Sequence, residues 1–276
     1  MTPRNIVILT GAGISAESGL ATFRGPGGLW EGHRVEDVCT PDALRHDAEL
    51  VHRFYDERRA ALDRVEPNAA HVALARLDAE WSGELLIVTQ NVDDLHERAW
   101  QHLSRHPGES RGPSSEPGVR PEGWIPAFAG MTAGGRAPRL IHMHGELKSA
   151  LCAACGARRA WLEGLPPATL CADCGRPALR PDIVFFGEMP YRMEEIDAAV
   201  SRANLFVSIG TSGAVYPAAG FVRTASYHGA QTLEMNLDPS AGSIYFDTTR
   251  IGPASTLVPA WVDQLLQSTQ SSPMSR

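Results

Sequence analysis

The chain has 276 residues, enough for one large domain or for one domain with an inserted lobe. With 43% hydrophobic and 21% charged residues, it has the composition of an ordinary globular protein. Its net charge of −7 argues against nucleic acid as the main partner, because phosphate binding needs a basic surface, but it still permits a cationic peptide.

The sequence shows no targeting or membrane segment. The apolar run at residues 6–9 is too short for the core of a signal peptide and ends at a glycine turn. No stretch approaches the ~20 apolar residues that a membrane helix requires. We therefore expect a cytoplasmic protein without a membrane partner.

Short apolar runs alternate with helical patterns along the chain. Runs bounded by Gly, Asn or Pro predict buried strands at 5–10, 85–89, 140–143, 183–186, 205–209 and 232–236. Helical patterns cover 46–64, 69–79, 93–101, 193–203, 217–228 and 259–267. This alternation predicts an α/β fold with a doubly wound parallel sheet.

Two segments depart from that alternation. Residues 41–79 are helical throughout and have no strand of their own, so we expect them to form a separate lobe. Residues 102–138 hold thirteen Gly and Pro and lack periodicity, which is unusual inside a compact domain. We interpret this second segment as a disordered insertion, with a functional lid as the alternative, and we expect the tail at 269–276 to be frayed.

The stretch TGAGISAESG at 10–19 directly follows the first predicted strand. Gly11 and Gly13 allow a tight turn and a close approach to a ligand, and the following helix would present free N–H groups to a diphosphate. The dinucleotide fingerprint requires a third glycine where this chain has Ala16. The motif is therefore weak evidence, and a tight structural turn explains it about equally well.

Four of the five cysteines form two tight pairs, CAAC and CADC. Cys152, Cys155, Cys171 and Cys174 have the spacing of a tetrahedral zinc site, and a glycine follows each pair. Four thiolates close the coordination shell, so we predict a structural Zn2+ that holds a small ribbon together. A nucleic-acid-binding ribbon is the alternative, which the acidic composition disfavours.

Polar residues follow two predicted strands at their carboxyl ends, where open α/β sheets bind ligands. Gln90, Asn91 and Asp93 lie in TQNVD, although helix capping alone would explain them. His144 in HMHG titrates in the range of a general base, although a histidine at a strand end is more often structural.

Taken together, these motifs resemble the sirtuins, the NAD-dependent protein lysine deacylases. The matching motifs are GAGISAESG, TFR, TQNVD, HMHG, the four cysteines, FFGE, GTS, NLDP and GPAS, in that order along nearly the whole chain. The resemblance is strongest to the bacterial class allied to deacylases that remove acidic acyl groups.

The resemblance implies one catalytic domain over 1–268. Its Rossmann-like large lobe would comprise 1–22, 80–101, 139–150 and 181–268. Its small lobe would combine a helical module at 23–79 with a zinc ribbon at 151–180. The insertion at 102–138 and the tail lie outside the resemblance.

The resemblance also implies roles for individual residues. His144 and Asn91 would be catalytic, with His144 as the general base. Gln90, Asn91 and Asp93 would line the nicotinamide pocket. Other contacts to NAD would come from Gly11, Ala12, Gly13, Ile14, Ser15, Thr22, Phe23, Arg24, Gly210, Thr211, Ser212, Asn236, Leu237, Asp238 and Ala254. The substrate peptide would pair as an added strand with 184–188, which includes Val184, Phe186, Gly187 and Glu188.

The implied reaction consumes NAD as a co-substrate. The acyl-lysine carbonyl oxygen would attack C1′ of the nicotinamide ribose, and the products would be nicotinamide, free lysine and O-acyl-ADP-ribose. The expected partners are acylated lysine side chains of proteins or peptides, and the chain is expected to be a monomer. Protein mono-ADP-ribosylation and an impaired NAD- or peptide-binding module, disrupted by the insertion, are the alternatives.

One charged helical stretch, FYDERR at 54–59, bears on substrate choice. Tyr55 and Arg58 are three residues apart and so share one helix face. In the sirtuins that remove acidic acyl groups, such a pair grips the distal carboxylate, which predicts removal of succinyl and malonyl as well as acetyl. Cys39 falls where such relatives tend to carry a small residue near the acyl pocket. Its sulfur could narrow the tunnel that receives the acyl-lysine side chain. The alternatives are a solvated Arg58 and a buried apolar Cys39.

Overall fold

A computed structural model describes residues 3–22, 29–30, 32–105 and 139–270. The strands are β1 (Asn5–Thr10), β2 (Leu29–Trp30), β3 (His33–Arg34), β4 (Glu84–Thr89), β5 (Leu140–His142), β6 (Gly145–Cys152), β7 (Arg158–Ala160), β8 (Leu179–Ile183), β9 (Leu205–Ile209), β10 (Gln231–Asn236) and β11 (Thr248–Ile251). The α-helices are α1 (Gly13–Ala16), α2 (Val35–Val38), α3 (Pro41–His46), α4 (Ala48–Ala61), α5 (Ala69–Glu80), α6 (Leu95–Arg105), α7 (Met193–Arg202), α8 (Phe221–Tyr227) and α9 (Ala254–Gln270).

The larger sheet has the strand order β11-β10-β9-β1-β4-β5. Every pair of neighbouring strands in it is parallel. The carboxyl ends of these strands therefore lie at the same edge, and the polar residues that follow them meet there. This confirms the predicted Rossmann-like parallel sheet.

Apolar side chains alternate between the two faces of the sheet, and helices cover both faces. From β1, Ile6 and Ile8 join the core formed with α5, α6 and α9. Val7 and Leu9, on the opposite face, pack with apolar residues of α7 and α8. Strands buried on both faces read as continuous apolar runs, which is why these segments were recognisable in the sequence.

Helix α5 packs on the sheet and not with the other helices of the 41–79 run. Its Ala73, Leu74 and Leu77 belong to the same core cluster as Ile6 and Ile8. The expectation that 41–79 forms one separate lobe is wrong for this helix. A helical pattern shows which residues are apolar but not which surface they cover.

The small lobe combines α2, α3 and α4 with an antiparallel sheet of order β7-β6-β8. The strand predicted at 183–186 is wrong in position, since β8 covers Leu179–Ile183 and pairs antiparallel with β6. Only its last residue falls in the predicted stretch. The apolar residues after Ile183 instead lie along the cavity described below.

Other element bounds differ at their ends. Helix α9 begins at Ala254, five positions before Pro259, which lies inside the helix. Proline favours the first turn of a helix, and that preference misplaced the predicted start. Helix α8 begins at Phe221 and is preceded by a short 3-10 helix at Ala218–Gly220.

The predicted insertion lies mostly outside the described residues. Helix α6 continues to Arg105, and the description resumes at Arg139. The Arg139 guanidinium donates to the Asp78 carboxylate at 2.5 Å and to the Gly83 carbonyl at 2.8 Å, at the amino-terminal edge of the sheet. Among the described helices, none combines the length and apolar character needed to cross a bilayer.

Helix α4 is fastened to the ribbon by charged groups that lie inside the protein. Arg59 is 2% exposed and donates to the carbonyl oxygens of Leu147 at 2.6 Å and Glu163 at 3.0 Å and to the Asp56 carboxylate at 2.5 Å. Asp56 also accepts from the backbone N–H of Leu165. The second arginine of FYDERR is therefore an internal clamp.

Replacing Arg59 with alanine should destabilise the fold. The Asp56 carboxylate would lose its cationic partner and two carbonyl groups would lose the Arg59 donor, and breaking a buried ion pair costs about 3–5 kcal/mol. The matched control Arg53→Ala removes an exposed arginine of the same helix and should change the free energy of unfolding by about 0.5 kcal/mol or less. Denaturant unfolding measures both. Equal effects would show that Arg59 is not a clamp.

Candidate active site

A cavity of about 580 Å3 lies at the carboxyl ends of the parallel strands, next to the small lobe. Most of the predicted site residues line it. These are Gly11, Ala12, Gly13, Ser15, Thr22, Gln90, Asn91, Asp93, His144, Gly210, Thr211, Ser212, Asn236, Leu237 and Ala254, together with Arg58, Val184, Phe186, Gly187 and Glu188. The cavity has the size and the position of a small-molecule site in an α/β fold.

A few predicted residues are not among those that line this cavity in the described part of the chain. Ile14 and Tyr55 are buried in the cores on either side, and Asp238 is exposed on the loop after β10. Phe23 and Arg24 lie outside the described residues, so their predicted contacts to NAD stay predictions.

The glycine motif brings two backbones into direct contact. A Cβ on Gly13 would lie 2.7 Å from Cα of Gly210, and a Cβ on Gly210 would lie 2.4 Å from the nitrogen of Ile14. The Gly13 N–H donates to the Gly210 carbonyl at 2.7 Å. Both glycines are therefore required by packing, and the cavity wall consists of main chain here.

The expected row of free N–H groups at α1 is not what the structure shows. Gly11, Gly13, Ile14 and Ser15 all donate their N–H groups to carbonyl oxygens of the chain. The helix itself spans only Gly13–Ala16. Ligand binding at this loop would rely on the close backbone approach that the glycines permit.

A hydrogen-bonded group of polar side chains forms one wall of the cavity. The Ser15 hydroxyl donates to Asp93 at 3.0 Å and accepts from the Asn91 amide at 3.0 Å. The Leu95 N–H donates to the other Asp93 oxygen at 3.1 Å. Burial raises the pKa of Asp93 to about 6, even though these donors act in the opposite direction.

Two buried histidines behind this wall were not identified from the sequence. The Asn68 backbone N–H donates to His71 Nδ1, with 3.3 Å between the nitrogens. The proton of the neutral ring is therefore on Nε2, which lies 3.4 Å from the Ser15 hydroxyl oxygen. His96 lies 3.1 Å from the Thr10 hydroxyl. Burial lowers the pKa of both rings, to about 4 for His71. Their helical context gave no signal, because an inward-facing histidine on a helix is commonly structural.

His144 is held so that one ring nitrogen faces the cavity. Its Nδ1 lies 3.2 Å from the Gln90 carbonyl, which can only accept, so Nδ1 carries the proton. Nε2 is then the unprotonated nitrogen. Burial lowers the pKa of His144, which keeps the imidazole neutral and able to accept a proton.

Next to β9 and β10, amide side chains link the loops that form the cavity wall. Gln90 donates to the Thr211 hydroxyl at 3.0 Å, and Asn236 donates to the Thr211 carbonyl at 2.8 Å. These bonds connect the ends of β4, β9 and β10. Further lining residues that the sequence did not single out include Glu17, Leu20, Val92, Val215, Tyr216, Met235 and Pro253.

At the other end of the cavity, Arg58 lies on the wall formed by α4. Its guanidinium carbon is 3.2 Å from the Phe54 ring centroid, and Nη1 donates to the Phe54 carbonyl at 2.5 Å. Cys39 also lines the cavity. Tyr55 is fully buried behind it, next to Cys39 in the same core cluster, and burial raises the Tyr55 pKa well above its usual value.

The segment at 184–188 is held in place by hydrogen bonds to other parts of the chain. The N–H groups of Val184 and Phe186 donate to the carbonyls of His144 and Cys39, each at 2.9 Å. The Glu188 carboxylate accepts twice from the Arg180 guanidinium, at 2.8 and 2.9 Å. This segment therefore connects His144 to the Cys39 side of the cavity.

The four paired cysteines cluster in the ribbon. Their sulfur atoms all lie within 4.8 Å of one another, with Cys152–Cys174 at 3.7 Å and Cys155–Cys171 at 3.8 Å. A tetrahedral site with Zn–S bonds of about 2.3 Å places its sulfurs about 3.8 Å apart. The arrangement of the four cysteines therefore fits a structural Zn2+. Gly156 and Gly175 have positive φ in the turns after each pair.

The fold and the site agree with a single family. The sequence matches the model of the Sir2 family over residues 11–107 and 130–217, more than half of the chain. The chain belongs to the Sir2 family, and the resemblance to the sirtuins is confirmed.

Relatives that are similar along their whole length carry a specific activity in their names. The chain is 47% identical to an NAD-dependent protein deacylase of Vibrio parahaemolyticus over 95% of both chains. It is 48% identical to an NAD-dependent protein deacylase of Trypanosoma brucei brucei, covering 95% of this chain and 94% of that one.

Solved structures show the same fold with ligands. A Sir2 homologue in complex with NAD is 31% identical, with a TM-score of 0.76 over 96% of this chain and 91% of that one. A Sir2 protein with a p53 peptide and NAD+ is 26% identical, with a TM-score of 0.68 over 98% and 95%.

The zinc site predicts a dependence of the ribbon on its metal. Cys171→Ser should lose bound zinc and change the fluorescence of Trp161, which packs on the ribbon core. Cys39→Ser is the matched control, because Cys39 lies outside the cluster, and it should retain about one zinc per chain. Metal analysis of the purified variants measures this. Zinc retained by Cys171→Ser would contradict the assignment.

Asp93 predicts a pH-dependent stability difference. Its pKa is raised to about 6 from 3.8, so the folded state prefers the protonated form, and stability falls as pH rises through that window. Asp93→Asn removes this titration. The stability of the variant relative to the parent should therefore rise between about pH 4 and pH 6.5, by up to about 3 kcal/mol, and then level off. Denaturant unfolding across that range measures it; a constant difference would contradict the shift.

Proposed function

We propose that this protein is an NAD-dependent protein-lysine deacylase that removes acetyl and short acidic acyl groups such as succinyl and malonyl. The observation that carries the proposal is one continuous cavity lined by both His144 and Arg58. The glycine loop and the ends of β9 and β10 form the remainder of its wall. Relatives named as NAD-dependent protein deacylases support the activity, and the acyl preference rests on Arg58.

In this reaction NAD supplies an electrophilic ribose carbon whose leaving group is nicotinamide. The wall formed by Ser15, Asn91 and Asp93 would hold the nicotinamide end, since its amides and hydroxyl are already fixed by mutual hydrogen bonds. The loop at Gly11–Gly13 and the amides at Gln90 and Asn236 would orient the remainder of the dinucleotide.

His144 is the proposed general base. Because Nδ1 is committed to the Gln90 carbonyl, Nε2 is the nitrogen that would take a proton from a ribose hydroxyl. The lowered pKa of His144 keeps this nitrogen unprotonated at neutral pH. The proton acceptor therefore stands ready before substrate binds.

Arg58 is the proposed determinant of acyl choice. Its guanidinium lies on the wall at the Cys39 side of the cavity, and it matches a distal carboxylate in charge and in geometry. Tyr55 is fully buried behind Cys39 and does not line the cavity, so its predicted role as a second donor to the acyl group would require the side chain to move. Neutral acetyl has no group for Arg58 to bind.

The substrate is proposed to be an acylated lysine within a protein or peptide, paired along 184–188. Val184 and Phe186 already donate their N–H groups within the chain, so a peptide strand would use other groups of this segment. Phe186 is 44% exposed beside the cavity. The zinc site lies in a separate cluster and would stabilise the ribbon without entering the reaction. A cytoplasmic, monomeric protein stays a prediction.

The test compares one peptide in acetyl-, succinyl- and unmodified-lysine forms, with NAD. Nicotinamide release should require the acyl group; release with unmodified protein would favour ADP-ribosylation instead. Arg58→Met should lower kcat/KM for the succinyl peptide about 10²-fold or more, as expected for loss of a buried charge-assisted pair, and change the acetyl value far less. Arg53→Met, exposed on the same helix, is the control. Equal losses on both peptides would refute the carboxylate-binding role.

A further inference from the structure

His142, two positions before the proposed general base, has both ring nitrogens hydrogen-bonded inside the protein. Nε2 lies 2.6 Å from a Glu97 carboxylate oxygen, and Nδ1 lies 3.0 Å from the Asn91 carbonyl oxygen. The side chain is 3% exposed. A carbonyl and a carboxylate only accept hydrogen bonds, so both ring nitrogens must carry protons, and His142 is an imidazolium.

The surroundings stabilise that charge. Besides Glu97 on α6, the titratable groups that face the ring are Glu146 on β6, Asp93 in the loop after β4 and His96 on α6. Burial opposes the charged ring, but the carboxylates outweigh it and raise the pKa of His142 to about 10.

The same cluster could be mistaken for a metal site. Ligand atoms of Glu97, His142 and Glu146 lie within 4.8 Å of one another. A metal would require a deprotonated ring nitrogen, and both nitrogens are committed as donors. The imidazolium is thus the cation that these carboxylates surround.

The charged ring of His142 holds the main chain of the loop after β4. His142 and His144 donate from Nδ1 to two consecutive carbonyls, those of Asn91 and Gln90. The Asn91 side chain in turn donates to Ser15 on the proposed nicotinamide wall. The end of β5 therefore fixes the loop after β4 at two adjacent points, one of which also sets the tautomer of His144.

We propose that charged His142, held by Glu97, is a positioning residue that fixes the Asn91 main chain and so aligns the nicotinamide wall with His144. The inference rests on the proposed deacylase function. His142 itself contacts neither substrate nor the reacting atoms; it acts through Asn91 and its neighbour Gln90.

Glu97→Gln tests the role of the charge. Without the carboxylate, the pKa of His142 should fall toward neutrality, so the ring becomes neutral as pH rises. Its one remaining proton can then lie on Nε2, facing the side-chain carbonyl oxygen of the introduced glutamine, which leaves the Asn91 carbonyl without its donor. The ratio of variant to parent kcat/KM for NAD should fall about tenfold between about pH 6.5 and pH 8.5, since each pH unit above a pKa lowers the protonated fraction about tenfold. In the parent protein, His142 stays charged over this range.

The matched control is Glu194→Gln, which removes an exposed carboxylate from the first turn of α7 and should give a ratio that is flat with pH. A flat ratio for Glu97→Gln as well would overturn the proposal, because a purely structural contact changes stability and not the pH profile. An inactive parent protein would instead refute the deacylase function.

A measurement on the parent protein covers the case in which Glu97→Gln does not fold. The ring nitrogens of 15N-labelled His142, assigned by their loss in His142→Gln, should both remain protonated at about pH 8.5. A single protonated nitrogen at that pH would overturn the inference independently of any activity.

Discussion

The close contact between the backbones of Gly13 and Gly210 forms the part of the cavity wall on which the rest of the site depends. It holds the loop after β1 against the loop after β9 at a distance that no Cβ would permit. The two loops come from neighbouring parallel strands, so their contact turns the edge of the sheet into a continuous wall. The Gln90 amide donates to the Thr211 hydroxyl and so joins the end of β4 to the same wall.

Much of the fold was predictable because its physical signals are local. Continuous apolar runs identify strands buried on both faces, and two close cysteine pairs identify a zinc ribbon. The packing of α5 was not predictable in this way, since its apolar face fits either lobe and only tertiary contacts decide. The segment after Ile183 has the composition of a strand, but it lines the cavity and does not extend β8.

The site divides along the same line. His144 and the polar residues after β4 could be predicted from the sequence because they directly follow recognisable strands. Contacts between distant positions were not: Arg59 meets Leu147, and His142 meets Glu97, across long stretches of sequence. FYDERR shows this most clearly. Its adjacent arginines look alike in the sequence, yet Arg58 faces the cavity, whereas Arg59 is an internal clamp to the ribbon.

Arg139, directly before β5, lies beside the amino-terminal edge of the sheet, where its guanidinium donates to the Gly83 carbonyl. The cavity lies at the opposite edge of the sheet, so the length of the strands separates it from Arg139. The Arg139 contact to Asp78 fixes this point of the chain to the sheet, away from the cavity. A segment attached ahead of Arg139 would therefore join the fold on the side away from the cavity, which makes this position suitable for attaching a second domain.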